Sequence, residues 1–145
     1  MYRLIYKSKS QKPIDWACVE DIMHSSEKHN QINEITGVLL ASETHFLQVI
    51  EGHYEHVNQT YCRIINDNRH GGFQLIAFHP VDARLFESWS MKGIGVFNFN
   101  QQTALALSQK YGEEEGGLRF PLEEWQALAL IQDVHIYLKA PDWKQ

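Results

Sequence analysis

The stretch Phe46-Leu47-Gln48-Val49-Ile50-Glu51-Gly52 constrains this chain more than any other. It reads as a strand, and a strand alternates its faces. Phe46, Gln48 and Ile50 therefore point one way, and Leu47 and Val49 the other. Both faces are otherwise apolar, so both are expected to be covered. That encloses the Gln48 amide, and a buried amide without partners costs roughly 1–3 kcal/mol. Gln48 is expected to bond to another side chain, to backbone or to a ligand.

The flanking pattern supplies the rest of the sheet. Residues 2–8 read as a first strand with Tyr2, Leu4 and Tyr6 on one face. After a polar loop, Asp15 is a suitable N-cap, with Ile14 and Val19 placed as a hydrophobic staple across it. Trp16, Val19, Ile22, Met23 and Ser26 recur at helical spacing, which predicts a helix over 16–28 ending in a polar loop at 29–33. Residues 35–41 form a second strand, and Ser42-Glu43-Thr44 is short enough for a hairpin turn into the opening stretch. A second helix is expected over 54–66, with Val57, Tyr61, Ile64 and Ile65 as its apolar stripe. Gly71-Gly72 reads as a break, 73–78 as a fourth strand stopped by Pro80, and 89–94 as a short fifth.

The order β-α-β-β-α-β predicts an α+β, ferredoxin-like fold: an antiparallel sheet with two helices on one face and here a fifth strand. Residues 1–97 make this first unit, and the pattern changes across 98–145. Residues 101–111 look helical, 112–117 are an acidic, glycine-containing hinge, and 121–139 a longer helix. Leu122, Trp125, Leu128, Ala129, Ile131 and Gln132 do not form a clean single stripe along it. These helices are expected on the opposite sheet face, with some apolar surface available to another subunit.

Composition narrows the function classes. A 145-residue chain, 43% hydrophobic and 21% charged, fits one domain that buries roughly two-thirds of its unfolded surface. No apolar run approaches the roughly 20 residues of a membrane span, and the first residues lead into a strand, so a cytoplasmic protein is expected. Cys18 and Cys62 fall on separate predicted helices and read as free thiols. The net charge of −5 argues against nucleic acid as a partner. Glu51, His53 and His56 lack the H-E-x-x-H spacing of a zinc site, so no metal is expected. No nucleophile, base and orienter set stands out, and the chain is not expected to be an enzyme.

Tyr6, Asn30, Gln48, Trp89 and Met91 are polar or redox-capable residues that this topology could bring together. Singly each has a structural role open to it: core packing for Tyr6, Trp89 and Met91, a helix cap for Asn30. Together they carry a pattern. Leu4-Ile5-Tyr6-Lys7-Ser8, His29-Asn30, Ile35-Thr36-Gly37-Val38-Leu39, the Phe46 to Gly52 string, Arg63-Ile64-Ile65-Asn66-Asp67-Asn68-Arg69-His70 and Phe86-Glu87-Ser88-Trp89-Ser90-Met91 occur in one order and spacing. In these pieces the chain resembles the BLUF family of blue-light sensors that use a flavin, from about residue 2 to residue 95. The last fifty residues carry no recognisable cyclase or phosphodiesterase, as in the short, stand-alone type with two extra helices.

The resemblance implies a flavin, most often FAD with FMN or riboflavin as alternatives, lying between the two helices. Ile22, Phe46 and Ile65 would touch its ring, and Asn30 would bond the ring's polar edge through a carboxamide that both donates and accepts. Arg63, Asp67 and Arg69 would handle the ribityl and phosphate part, for which an arginine fork is suited. Tyr6 and Gln48 carry the implied mechanism. Light drives an electron and then a proton from Tyr6, Gln48 rotates or tautomerises, and a new hydrogen bond shifts flavin absorption to the red. Trp89 and Met91 would relay the change, Trp89 also as a competing electron donor. The signal would pass to a downstream protein, or through a homo-oligomer. The rival is a non-photochemical ligand-binding or RNA-binding module of the same fold. An RNA binder of this order needs an RNP-type aromatic motif, which strand three lacks.

Overall fold

In a computed structural model, residues 1–139 are described; the rest of the predicted extension, 140–145, lies outside them. The elements in order are β1 (Tyr2–Ser10), α1 (Trp16–Ile32), β2 (Thr36–Ala41), β3 (His45–Gly52), α2 (Tyr54–Ile65), β4 (His70–Pro80) and β5 (Lys92–Gly95). A 3-10 turn (Val96–Asn98), α3 (Gln101–Tyr111), β6 (Glu113–Glu114), β7 (Gly117–Leu118) and α4 (Glu124–Lys139) follow. The main sheet runs β4-β1-β3-β2-β5. Its first four strands are antiparallel neighbours, and β5 adds to β2 in parallel. This is the ferredoxin-like order with a fifth strand at the edge.

The alternation in β3 sorts the core into two layers. Ile50 packs with Leu4, Tyr6 and Val57, and Phe46 with Leu39 and Val19, so this face lies under α1 and α2. Leu47 and Val49 turn the other way, onto Leu107 of α3 and Leu130, Ile131 and Val134 of α4. Both faces are covered, as the apolar strand required. No helix among the described residues is long and apolar enough to cross a membrane.

Local chemistry explains the element ends. Asp15 caps α1 by accepting from the Cys18 N–H at 2.9 Å, and Ile14 and Val19 share one cluster as the staple predicts. The helix runs past the expected end at 28, through His29-Asn30-Gln31, and turns only at Glu34, at φ 53°. Asn30 is therefore a helix residue rather than part of a loop. Gly71-Gly72 does not break the chain. Gly72, at φ 58°, occupies a bulge in β4, where the pairing slips between Lys7 and Lys9. The fifth strand starts at Lys92 rather than 89, because the Trp89 N–H is used in a turn to the Phe86 carbonyl. The acidic hinge is a hairpin, β6 to β7, with Glu115 and Gly116 both at positive φ as a two-residue turn demands.

Gly37 is the most constrained glycine. It lies at φ 154°, and an added Cβ would stand 1.9 Å from the Val49 carbonyl oxygen of β3. Gly37→Ala is expected to destabilise by roughly 2–5 kcal/mol, through backbone strain and overpacking together. A urea midpoint equal to that of the wild type would contradict it.

Candidate functional site

The β1–β3 register places Tyr6 directly opposite Gln48. Both side chains lie on the α1/α2 face, where the Tyr6 hydroxyl donates to Gln48 Oε1. The rings of Tyr61 and Phe73, each 5.6 Å away, enclose Tyr6. Burial, with smaller contributions from Tyr61 and Asp67, pushes its phenol far above the ordinary range, so it keeps its proton. On the far side of the amide, Gln48 Nε2 reaches Met91 Sδ at 3.5 Å. A thioether is a weak acceptor, which leaves the nitrogen with donating capacity in reserve. The amide's oxygen and nitrogen are assigned by this network.

Tyr6 and Gln48 form the floor of a cleft of about 240 Å³ between α1 and α2. Ile22, Ser26 and Asn30 recur every four residues along α1 and line one wall. Thr60, Arg63 and Ile64 of α2 line the other, and Asp67, Arg69 and His70 close one side. Asn30 is only 4% exposed, yet its Oδ1 has no hydrogen-bond partner among the described residues. An orphaned buried carbonyl is costly and calls for a donor within the cleft. Arg69 Nε donates to both Asp67 carboxylate oxygens at 3.0 and 2.9 Å, and these bonds hold the Asp67 carboxyl below its usual range. Arg63 has no ion pair among the described residues. The cleft thus offers amide groups at its floor and wall and a cation near its side. That donor set suits a flat heterocycle with an anionic tail, and a flavin fits it.

Of the residues expected at the site, Tyr6, Ile22, Asn30, Gln48, Arg63, Asp67 and Arg69 line the cleft, and Met91 touches Gln48. Three are placed differently. Phe46 is buried and does not line the cleft; its ring packs 5.5 Å from that of His70. Ile65 is 42% exposed, and Ile64 lines the cleft instead. One residue along a helix is a turn of about 100°, enough to carry a side chain off the wall. Trp89 belongs to the other layer, stacked on Phe86 at 5.5 Å and edge-on to His135 of α4 at 5.0 Å. Trp89 therefore does not line the cleft. Ser25, Ser26, Thr60, Ile64 and His70 were missed as lining residues. The four-residue spacing of Ser26 with Ile22 and Asn30 was the available signal for one of them.

Glu51 has a different task. Fully buried, it accepts from Arg3 Nε at 3.0 Å and from the N–H groups of Leu85 and Phe86 at 2.9 and 2.8 Å. It therefore ties the loop that carries Trp89 and Met91 to the strand that carries Gln48. No group of three or more metal-binding side chains forms among the described residues. The central-strand aromatics Tyr6 and Phe46 are buried beneath the helices rather than open to stack with bases.

The BLUF family, described as sensors of blue light using FAD, matches residues 1–92. A photoactivated adenylate cyclase subunit alpha from Euglena gracilis is 30% identical over 105 residues, covering 71% of this chain and 10% of that protein. The blue light- and temperature-regulated antirepressor BluF of Escherichia coli (strain K12) is 33% identical over 89 residues, covering 61% of this chain and 22% of that one. The chain thus spans about a tenth to a fifth of these curated relatives. The dark-state structure of BlrB, a BLUF protein, superposes with a TM-score of 0.73 at 26% identity, covering 94% of this chain and 96% of BlrB. With the Tyr6–Gln48 pair beneath a cleft fitted to a flavin, these matches place the chain in the BLUF family of blue-light sensors using FAD.

Proposed function

We propose that FAD is held between α1 and α2, with Asn30 and Gln48 bonding its ring and Arg63 and the Asp67–Arg69 pair serving its tail. Ile22 and Ile64 supply apolar contact. Bound flavin contributes the blue-light absorber, a strong oxidant once excited. Tyr6 would be the electron and proton donor to it, and because the Tyr6 hydroxyl already donates to Gln48 Oε1, that bond would give its proton a path toward the flavin. Gln48 must then change partners, by rotating its amide or by tautomerising. Rotation would move Nε2 away from Met91 and tautomerisation would weaken its donation there, so either change would reach the loop tied to Glu51. Residues 1–97 act as the sensor and 98–145 as the transmitting extension.

The observation that carries this reading is the phenol–amide bond beneath a cleft in which the buried Asn30 Oδ1 has no partner among the described residues. The output is a conformational change passed to a partner protein, or within a homo-oligomer. The free thiols of Cys18 and Cys62 fit a cytoplasmic setting. Purified protein is expected to be yellow, with absorption that shifts to the red under blue light and relaxes in darkness. A colourless protein that takes up no added FAD would overturn the reading. Asn30→Ala removes one ring contact worth roughly 1–2 kcal/mol, so FAD affinity should fall about tenfold. Fluorescence titration measures it, and unchanged affinity would remove Asn30 from the site.

A further inference from the structure

α4 carries two apolar rows on opposite sides. Ala127, Leu130, Ile131 and Val134 are buried against the sheet. Trp125, Ala129, Gln132, Ile136 and Lys139 form the other row, separated by alternately four and three residues, and Leu122 continues that spacing in the bend just before the helix. That is the spacing of a coiled-coil seam. Leu122, Trp125 and Ile136 are 49%, 67% and 56% exposed, so the row is unpartnered among the described residues. Its ends carry opposite charge. Glu123 stands at the start and Lys139 at the finish.

We propose that this outer face is the interface of a homodimer, in which two copies of α4 pack antiparallel about a two-fold axis between Leu130 and Ile131. The row is self-complementary in that register. Trp125 meets Ile136 of the second copy, Ala129 meets Gln132, and Leu122 lies along the aliphatic stem of Lys139. Ala129, being small, lets the helices approach at the centre. Each contact occurs twice, as an isologous interface requires. The acidic start of one helix faces the basic end of the other. A parallel pairing would instead set Trp125 on Trp125 and like charge on like charge. Beside the row, Leu128, Gln132 and His135 line a cavity of about 370 Å³ against Phe86 and Trp89, so the Glu51-tied loop abuts the interface.

The inference rests on the homo-oligomer named above and deepens it; light sensing is read separately, from the flavin spectrum of the same samples. Light scattering on the FAD-loaded full chain in darkness is expected to give twice the chain mass. Ile136→Glu and Trp125→Glu should each raise the dimer dissociation constant roughly 100-fold, as loss of an interface anchor does, while the red shift is retained. Glu123→Lys and Lys139→Glu should each weaken the dimer, and together restore it. With Cys18 and Cys62 replaced by serine, Trp125→Cys combined with Ile136→Cys should cross-link between copies on oxidation, and Trp125→Cys alone should not. A monomeric wild type, a dimer that survives Ile136→Glu, or cross-linking by Trp125→Cys alone would overturn the proposal. A missing red shift at dimer mass would instead count against the flavin mechanism and leave the interface standing.

Discussion

Gln48→Leu is expected to leave FAD bound and to abolish the light-induced red shift. Leucine keeps the apolar packing of β3, where Phe46 and Ile50 flank position 48 on the same face. It removes the amide that accepts from the Tyr6 hydroxyl and reaches Met91. The Tyr6 phenol, held protonated by its burial, would lose its acceptor and with it the path for its proton. An orphaned hydroxyl costs roughly 1–3 kcal/mol, which a folded domain of this size can tolerate. The variant should therefore fold, bind flavin at full stoichiometry and show a static spectrum. A light-minus-dark difference of wild-type size in Gln48→Leu would show that the amide is not the switch.

Glu51→Ala should have the largest effect on stability. It leaves Arg3 buried without its carboxylate and deprives the Leu85 and Phe86 N–H groups of their acceptor. Breaking a buried ion pair from one side costs roughly 3–5 kcal/mol. For a domain of this length that lowers the melting temperature by roughly 10–20 °C. Arg84 also clamps the same region, donating to the Glu34 carbonyl at 2.7 Å and to Thr36 Oγ1 at 2.8 Å. Freed from Glu51, the loop should exchange its Leu85 and Phe86 amide hydrogens much faster, which hydrogen exchange reads directly. Replacing both partners, Arg3→Met with Glu51→Leu, removes the uncompensated charge and should recover part of the loss, the Leu85 and Phe86 N–H groups staying without their acceptor. A melting temperature unchanged in Glu51→Ala would contradict this assignment.

The fold was legible wherever a periodic pattern decided it. Period-two alternation in β3 revealed a sheet covered on both faces, and Asp15 marked the start of α1 because its cap is a local device. The end of α1 was not legible. His29-Asn30-Gln31 has the composition of a loop, and the bond that closes the helix end, from the Ile35 N–H to the Asn30 carbonyl at 2.9 Å, is made only where the chain has turned at Glu34. Gly71-Gly72 looked like a stop because glycine serves bulges as well as breaks. The apolar residues of α4 seemed to lack a stripe because they form two, one facing the sheet and one facing outward.

At the site, the residues on strands were the easiest to place. Tyr6 and Gln48 are cross-strand partners, and strand register follows from the same alternation that builds the sheet. Residues on α2 depended on helical phase, where a single step exchanged Ile65 for Ile64. The side taken by Trp89 was set at long range: by Glu51, which holds the N–H of its stacking neighbour Phe86, and by His135 on α4. Nothing within six residues of Trp89 encodes a neighbour on the last helix.

The most direct test compares FAD-loaded wild type with Tyr6→Phe by light-minus-dark absorption under the same illumination. Phenylalanine keeps the ring packing against Tyr61 and Phe73 and removes only the hydroxyl that donates to Gln48. The wild type should give a reversible red shift and Tyr6→Phe none, with equal flavin content in both. A full shift in Tyr6→Phe, or an unmoved spectrum in the FAD-loaded wild type, would contradict the assignment of Tyr6 and Gln48 as the light switch.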